Sequence, residues 1–547
     1  MVVVSRRSSE QTAVDRLDCR DGRTTQLAIV HYHLNRGGVT QVIINQLRAL
    51  DLALQTERPW RVVLVSSGCR VDWPEQLPDQ LGSIRLDMIE IPAIDYDRDP
   101  VASPGELARQ IREGLRGRGY SADDTILHVH NHSLGKNLSL PGAIRILACD
   151  GFRLLLQIHD FAEDYRHEHY ARMTAALATM ATDGTDDLAS VLYPQAEHIH
   201  YATLNRRDWS ILRDAGVPLA RLHLLPNPVP DLGTPTARAD ARVRLAQASG
   251  VPVESPFVLY PVRGIRRKNL GEALLWSALI DGNWHFGFTL PPINPVEQTS
   301  YLRWKRLAGE LRLPCHFELG TLPGLTLTDL LAAADLILTT SVAEGFGMVF
   351  LESWLAGRPL FGRDLPEISA DFVAAGMRLN GLRPRLSVPL EWVNQRTFSE
   401  TLTSLYASCL QAFGHSTVDS ATVAAQVKEL VSDGTVDFAM LDPALQSRVI
   451  GRVRDDENAR RRILDLNPWM EHSLNLSSAS SAEDIQQNAE AVRRAYALDA
   501  FGPRLRDLYR AIAGSPRSDQ LKSLSQPRQV LNTFLHLERF CPIRVLP

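Results

Sequence analysis

Short apolar runs of strand length alternate with segments of helical periodicity along much of the chain. A first series has predicted strands at residues 27–31, 61–65, 84–91, 126–130 and 154–158, with helical patterns between several of them. A second series has predicted strands at residues 257–262, 286–290 and 336–340, after a helix near 237–249. Such alternation predicts two mostly parallel sheets with helices on their faces.

A proline-rich break separates the two series. Residues 226–230 read PNPVP, which is typical of a linker between domains. Strand patterns stop near residue 385, and residues 395–515 have helical periodicity with polar breaks. Residues 1–24 are polar, and we expect them to be disordered. We therefore predict an N-terminal Rossmann-like domain over 25–230, a C-terminal one over 231–395, a helical insertion over 396–485, and closing helices with a tail over 486–547.

Composition narrows the class of protein. A chain of 547 residues exceeds what one hydrophobic core usually serves, and 44% hydrophobic with 22% charged residues is ordinary for a globular protein. The net charge of −4 gives no reason to expect a nucleic-acid partner. The six cysteines are scattered, which favours a reducing compartment and argues against structural zinc. With no signal sequence or membrane-length apolar run, we expect a cytoplasmic protein, leaving peripheral membrane contact and oligomeric state open.

The most informative stretch is residues 339–359, which read TTSVAEGFGMVFLESWLAGRP. An apolar run predicts a buried strand that ends in this stretch, and a glycine-containing turn follows it. A short apolar-rich helix comes next, and Gly357 stands where a left-handed C-terminal residue belongs. Glu344 lies in the turn and Glu352 lies about one turn into the helix. In an open α/β sheet such a turn faces the crevice where ligands bind.

This arrangement suits a ligand with an anionic centre and hydroxyl groups on both sides. A helix N-terminus attracts phosphate, and the two carboxylates can hydrogen-bond a sugar on one side and a ribose on the other. The pattern therefore fits a nucleotide sugar. An alternative interpretation makes Glu344 a helix-capping residue and Glu352 a solvated side chain. The two glutamates by themselves would not exclude this interpretation.

A family resemblance rests on these residues. The segment SVAEGFG at 341–347, with Leu351-Glu352, Gly357-Arg358-Pro359 and Pro366-Glu367, resembles the donor-site signature of the family 4 retaining glycosyltransferases. The resemblance implies the α/β GT-B fold, in which two Rossmann-like domains face a cleft. Residues 491–512 resemble the family's closing helices, which return to the N-terminal domain, and the helical segment at 400–480 has no clear counterpart.

The resemblance also implies roles. The first glutamate of the family contacts the donor sugar, the glycine loop and helix start contact the diphosphate, and the second glutamate contacts the ribose. Those roles would fall on Glu344, on Gly345, Phe346, Gly347, Met348 and Val349, and on Glu352. The glycines that usually precede the Pro-Glu pair are replaced here by Arg363-Asp364-Leu365, which leaves the identity of the donor open.

Two further loops are candidates for the diphosphate. Arg263 and Lys268 belong to RGIRRKN, a cationic loop between a predicted strand and a helix, and cations beside a helix start suit a diphosphate. Their spacing resembles the family's diphosphate pair, and the alternative is simple surface charge. Asn269 replaces a frequent glycine, a change that asparagine's tolerance of unusual backbone angles allows. Gly38 lies in an N-terminal turn that, by the resemblance, approaches the donor phosphate.

Histidines follow the predicted strands of the first domain. The resemblance places His159 beside the donor sugar, as a second catalytic residue, whereas a lone histidine after a strand is more often structural. Asp160, His130 and Lys136 are candidates for the acceptor site, where the Lys136 ammonium could meet an anionic acceptor. The alternatives are a packing role for His130 and an ordinary solvated side chain for Lys136. We expect no metal site, because the histidines have no nearby acid to complete one and the acidic motif at 95–97 lies in a loop.

The expected activity is transfer of a hexose from a nucleotide-diphosphate sugar, a UDP- or GDP-sugar, to a hydroxyl acceptor with retention of configuration. It would need neither a metal nor another cofactor, since cations stabilise the leaving diphosphate. Two alternatives remain open. One is a disaccharide phosphorylase or a nucleotide-sugar epimerase on the same fold, and the other is a non-catalytic protein that binds sugar nucleotides.

Overall fold

The computed structural model describes residues 26–97, 100–180, 187–233, 236–280, 282–414, 420–431, 433–474 and 481–546. The tail predicted at residues 1–24 lies outside these ranges. Two parallel sheets, each with apolar clusters on both faces, meet across a cleft. This architecture confirms the predicted α/β class with two Rossmann-like domains. Within the ranges given, no helix is long and apolar enough to cross a membrane.

The N-terminal sheet has seven parallel strands in the spatial order β3-β2-β1-β4-β5-β6-β7. These are β1 (Gln26–Val30), β2 (Trp60–Ser66), β3 (Ile84–Glu90), β4 (Thr125–His130), β5 (Arg153–Ile158), β6 (Ile199–Thr203) and β7 (Leu222–Leu224). Its helices are α1 (Gly38–Ala53), α2 (Leu77–Gln80), α3 (Pro104–Gly117), α4 (Leu140–Cys149), α5 (His167–Met180), α6 (Leu188–Leu192) and α7 (Arg206–Ala215). The central strands are buried on both faces, which explains their nearly continuous apolar runs.

The C-terminal sheet has six parallel strands in the order β10-β9-β8-β11-β12-β13. These are β8 (Phe257–Arg263), β9 (His285–Leu290), β10 (Cys315–His316), β11 (Leu336–Thr339), β12 (Leu360–Arg363) and β13 (Leu382–Arg383). The helices of this domain are α8 (Arg238–Ser249), α9 (Leu270–Leu279), α10 (Pro295–Glu310), α11 (Leu327–Ala333), α12 (Val349–Leu355) and α13 (Pro366–Ala374). The strand order reverses beside β8 and β11, so the loops after these two strands border the crevice where such sheets bind ligands.

The segment predicted as a helical insertion shares the core of the C-terminal domain. Two short strands, β14 (Ser387–Pro389) and β15 (Thr435–Asp437), pair antiparallel in it, so the expectation that strands end near residue 385 is wrong. Its helices are α14 (Gln395–Ala412), α15 (Ser420–Glu429), α16 (Pro443–Asp455), α17 (Glu457–Leu466) and α18 (Trp469–Leu474). Phe398, Val436 and Ile450 are buried in one apolar cluster with Trp276 of α9. The segment therefore thickens the C-terminal domain.

Two helices carry the chain back between the domains. The first, α19 (Ala482–Tyr496), packs against α12, and the second, α20 (Leu498–Ala513), packs against α1. The backbone N–H of Val229, in the proline-rich linker, donates to the Tyr496 carbonyl at 2.9 Å. The two crossings between the domains therefore lie side by side, as a hinge requires.

The C-terminal tail lies across both domains and includes α21 (Gln529–Phe534) and α22 (Pro542–Val545). The rings of Phe534 and Phe161, in the N-terminal domain, have centroids 5.0 Å apart. Phe540 lies 5.3 Å from Tyr406 of α14, by the same measure. Arg544 pairs with Asp164 at 2.9 Å. The tail thus ties the two domains together on one side of the cleft.

Candidate active site

A cleft of about 370 Å³ opens between the carboxyl edges of the two sheets. Twelve of the predicted site residues line it: Gly38, His159, Asp160, Arg263, Lys268, Glu344, Gly345, Phe346, Gly347, Met348, Val349 and Glu352. The predicted acceptor residues His130 and Lys136 lie outside this lining. Residues that are far apart in the sequence therefore converge on one cavity, which makes it the candidate site.

The glycine loop between β11 and α12 forms one wall and approaches the other domain closely. A Cβ atom added at Gly345 would lie 2.6 Å from the carbonyl oxygen of His159, so only glycine fits this contact. The Asn205 side chain donates to the Gly345 carbonyl at 2.6 Å. Gly347 has φ of +88°, a conformation that favours glycine. The two glycines thus let the loop turn and let the domains meet.

Glu344 forms a buried ion pair with Lys268. Burial opposes ionisation of Glu344, but the Lys268 ammonium and the Arg267 guanidinium outweigh it and hold its pKa below the usual range. Burial lowers the pKa of Lys268, although Glu344 acts in the opposite direction. The predicted sugar-binding carboxylate and the predicted diphosphate-binding ammonium therefore pair with one another.

Glu352 faces the same cleft from the first turn of α12. Burial raises its pKa to about 6, with no cation offsetting the effect. A half-buried carboxylate of this kind gains from ligand hydroxyl groups, because they donate hydrogen bonds to its charged form. The two glutamates thus differ in what shifts their pKa: neighbouring cations lower the pKa of Glu344, and burial alone raises that of Glu352.

Arg267 was missed as a site residue and is central to the cleft. Its guanidinium bonds Asp160 of the other domain at 3.3 Å, and its buried Nε has no hydrogen-bond partner among the described residues. The sequence did show four cations between residues 263 and 268, but spacing alone favoured Arg263 and Lys268. Asn269, which replaces a frequent glycine, has a left-handed backbone with φ of +48°.

His159 lines the cleft and rests on a second histidine. Its Nε2 lies 2.9 Å from Nδ1 of His130, whose ring is fully buried behind it. Burial lowers the pKa of His159 to about 4, so the ring is neutral at neutral pH. The placement of His130 corrects the expectation that it could touch an acceptor, because no part of its side chain reaches the cleft.

Asn131 fixes the loop that carries His159 and Asp160. Its backbone is left-handed, with φ of +62°, and its side-chain oxygen accepts from the N–H groups of both residues, at 3.2 and 3.0 Å. Asp160 pairs with Arg166 at 2.8 Å as well as with Arg267. Burial opposes ionisation of Asp160, and the two guanidinium groups nevertheless hold its pKa well below the usual range. Asp160 is therefore a charged link between the domains.

Lys136 lies farther along the N-terminal wall. Its Nζ sits 5.0 Å from the centre of the Tyr96 ring, in cation–π range. Asp97 of the rejected acidic motif pairs with Arg172. The described part of the chain contains no group of three or more histidine, cysteine, aspartate or glutamate side chains placed to hold a metal ion.

Sequence comparison gives one informative relative. No protein-family model matches the chain. The chain is similar to the mannosylglucosyl-3-phosphoglycerate synthase of Petrotoga mobilis, with 28% identity over 354 residues. The match covers 63% of this chain and 66% of the relative, so it spans just under two thirds of that protein's length.

Solved structures establish the fold. The chain is similar to sucrose-phosphate synthase from Thermosynechococcus elongatus, with a TM-score of 0.51, 16% identity, and coverage of 89% of this chain and 98% of that one. A glycosyltransferase from Rickettsia africae gives a TM-score of 0.50 with 13% identity, covering 90% of this chain and 100% of that one. These likenesses confirm the predicted GT-B fold. Membership of family 4 stays a prediction.

Proposed function

We propose that this chain is a retaining glycosyltransferase of the family 4 type, which moves a hexose from a nucleotide-diphosphate sugar to a hydroxyl acceptor. One observation carries the proposal. A single interdomain cleft holds three carboxylates, three cationic side chains and a glycine loop at a helix start, an arrangement that suits such a donor. The fold supports the proposal, since it places this cleft between two Rossmann-like domains.

The diphosphate would lie against Arg263 and Lys268, beside the start of α12. Charge develops on the diphosphate as its bond to the sugar breaks, and fixed cations in a partly dehydrated cleft stabilise that charge. Lys268 is released for this task when the donor sugar takes the place of its ammonium at Glu344. The reaction then proceeds without a metal ion, which is part of the proposal.

Glu344 would accept hydrogen bonds from hydroxyl groups of the hexose and hold it for transfer. The acceptor hydroxyl would attack the face from which the diphosphate leaves, so configuration is retained without an enzyme nucleophile. His159, which is neutral at neutral pH, would contact the same sugar from the N-terminal wall. Glu352 would bind the ribose of a UDP- or GDP-sugar.

The Petrotoga relative supports the class of reaction. Its name describes a synthase that forms mannosylglucosyl-3-phosphoglycerate, a product in which sugar units are joined to a phosphorylated hydroxy acid. By extension the acceptor of this chain is a small hydroxylated molecule. The similarity covers under two thirds of that protein, so the identities of the sugar and of the acceptor are to be determined by experiment.

A ligand panel tests the proposal. Uridine, guanosine and adenosine diphosphates and their hexose conjugates are screened by thermal shift, since a ligand of the folded state raises the melting temperature. We expect one base to stabilise the protein and its sugar conjugate to release nucleoside diphosphate with an acceptor present, in EDTA as well as without it. Stabilisation without turnover would favour a binding protein, and phosphate-dependent release of sugar from a glycoside would favour a phosphorylase.

A further inference from the structure

A group of cations lies beside the cleft at the carboxyl edge of the N-terminal sheet. We call Lys136, Arg166 and Arg172 the cationic wall. Lys136 follows β4, and the two arginines lie in and before α5, after β5. Arg166 pairs with Asp160, which lines the cleft, so the wall is continuous with the candidate active site.

The carboxylates near the cationic wall do not neutralise all of its positive charge. Asp160 is shared between Arg166, at 2.8 Å, and Arg267 of the other domain, at 3.3 Å. Arg172 is held by Asp97. In the described ranges, no carboxylate lies within 4.0 Å of the Lys136 ammonium, which instead rests on the Tyr96 ring. Among the described residues Lys136 therefore has no direct ion-pair partner, and Asp160 acts on its charge only from a greater distance.

Burial and like charges both oppose ionisation in the cationic wall. Burial, together with Arg166 and Arg172, lowers the pKa of Lys136. Burial lowers the pKa of the adjacent His169 to about 3, and all three cations of the wall act in the same direction. A half-buried cation with like charges around it is costly, and a bound anion removes that cost. An ordinary solvated lysine would have neither the burial nor the cationic neighbours.

We propose that the acceptor carries a phosphate or carboxylate group, and that this group binds at the cationic wall between Lys136 and Arg166. This inference rests on the proposed function, which it deepens by naming the chemical class of the acceptor. An anion held there would leave the rest of the acceptor extending toward Asp160 and the sugar at Glu344. The donor cations Arg263 and Lys268 belong to the other domain, so donor and acceptor anions have separate sites.

Calorimetry with three probes of increasing charge tests the inference: glycerol, D-glycerate and D-3-phosphoglycerate. We expect binding to strengthen in that order. Lys136→Met should weaken D-3-phosphoglycerate about tenfold, the scale for losing one charge-assisted hydrogen bond. Lys136→Arg should retain most of the binding because it keeps the charge. Lys428→Met, which removes an exposed lysine on α15, is the matched control and should change nothing.

A variant on the donor side separates the two anion sites. Arg263→Gln should weaken a nucleoside diphosphate and leave D-3-phosphoglycerate unchanged, while Lys136→Met should do the reverse. The inference is overturned if Lys136→Met leaves D-3-phosphoglycerate binding intact, if only Arg263→Gln weakens it, or if glycerol binds equally well. Failure of every nucleoside diphosphate to bind the wild-type protein would instead contradict the proposed function, so the two failures are distinguishable.

Discussion

The two walls of the cleft are built in different ways. The C-terminal wall comes from two short segments, the loop at 263–268 and the loop-helix unit at 344–352, and its central charges pair within the wall. The N-terminal wall comes from the ends of several strands, where the neutral His159 lines the cleft and His130 lies buried behind it. The C-terminal wall is built from short contiguous stretches of sequence, whereas the N-terminal wall is assembled from residues on several strands.

This difference suggests a division of labour. A compact motif with paired charges suits a ligand part that is the same in every turnover, namely a nucleoside diphosphate and its sugar. An assembled wall with excess positive charge can vary without disturbing that motif, and it suits an acceptor. The domains meet where Gly345 touches the His159 carbonyl and where Asp160 pairs with Arg267. This division of roles is contradicted if variants in the two walls have the same effects on donor and acceptor binding.

The largest effect is expected for Glu344→Gln, which keeps the shape of the side chain and removes its charge. Turnover should fall about a hundredfold to a thousandfold, since losing one preorganised group at the reacting centre costs roughly 2–4 kcal/mol. Steady-state release of nucleoside diphosphate measures it. Glu400→Gln, on α14 and paired with Arg396 away from the cleft, is the matched control and should stay near wild type. Equal losses in both variants would contradict the role of Glu344.

A smaller effect is expected for Gly345→Ala, which tests the contact between the walls. The added Cβ would collide with the His159 carbonyl, so the domains should be held apart by a fraction of an ångström or more. Misplacement on this scale lowers kcat/KM by on the order of tenfold to a hundredfold. Small-angle scattering with and without donor reports closure. Gly451→Ala, where nothing crowds the new Cβ, controls for the substitution itself. Full activity in Gly345→Ala would show that the contact is dispensable.

His130→Leu tests the support behind the N-terminal wall. The buried Nε2 of His130 has no hydrogen-bond partner among the residues that the structure describes. Leaving an acceptor unpaired costs less than leaving an N–H unpaired, so Nδ1–H of His130 donates to His159. His159 then carries its proton on Nδ1. Losing this orientation should lower kcat about tenfold, the scale of one hydrogen bond, with nucleoside diphosphate affinity unchanged.

Two measurements check the assignment of His130. His130→Asn, which can still donate at the same place, should recover part of the loss in kcat. Nitrogen NMR of His159 should show a proton on Nδ1 in the wild-type protein. A proton on Nε2 of His159, or equal activity of the leucine and asparagine variants, would rule out the orienting role.

The smallest effect concerns the pH dependence of binding at Glu352. The pKa of Glu352, about 6, should fall when ribose hydroxyl groups donate hydrogen bonds to its carboxylate. Ligand binding therefore favours the ionised form of Glu352. Affinity for a nucleoside diphosphate should therefore rise severalfold from pH 5 to pH 7, with a proton released near pH 6. The diphosphate also titrates, so the difference from Glu352→Gln isolates this contribution. Parallel pH profiles for the two proteins would exclude it.

The sequence predicted the C-terminal wall better than the N-terminal one. Glu344, Gly347 and Gly357 form a contiguous pattern whose strand, turn and helix end obey local rules, and the structure reproduces them. Strand β12 was missed because its short run ends in Gly362-Arg363, and Arg363 is buried only through ion pairs with Glu272 and Asp437. No local pattern reports such distant partners.

The N-terminal wall shows the same limit. Side chains alternate along a strand, and this puts His128 and His130 on one face of β4, where their rings lie 4.2 Å apart. It could not say that His159 would cover His130, because the order of β4 and β5 in the sheet decides that. Arg267 was hidden among four adjacent cations, and only its contact with Asp160 distinguishes it.

The central claim is that two glutamates of the C-terminal wall bind different parts of the donor: Glu344 binds the sugar and Glu352 binds the ribose. Calorimetry of the bare nucleoside diphosphate against Glu344→Ala and Glu352→Ala tests it most directly, because this ligand has a ribose and no hexose. We predict that Glu344→Ala leaves its affinity nearly unchanged while Glu352→Ala weakens it clearly. If Glu344→Ala abolishes binding and Glu352→Ala leaves it intact, the assignment of the two glutamates is wrong.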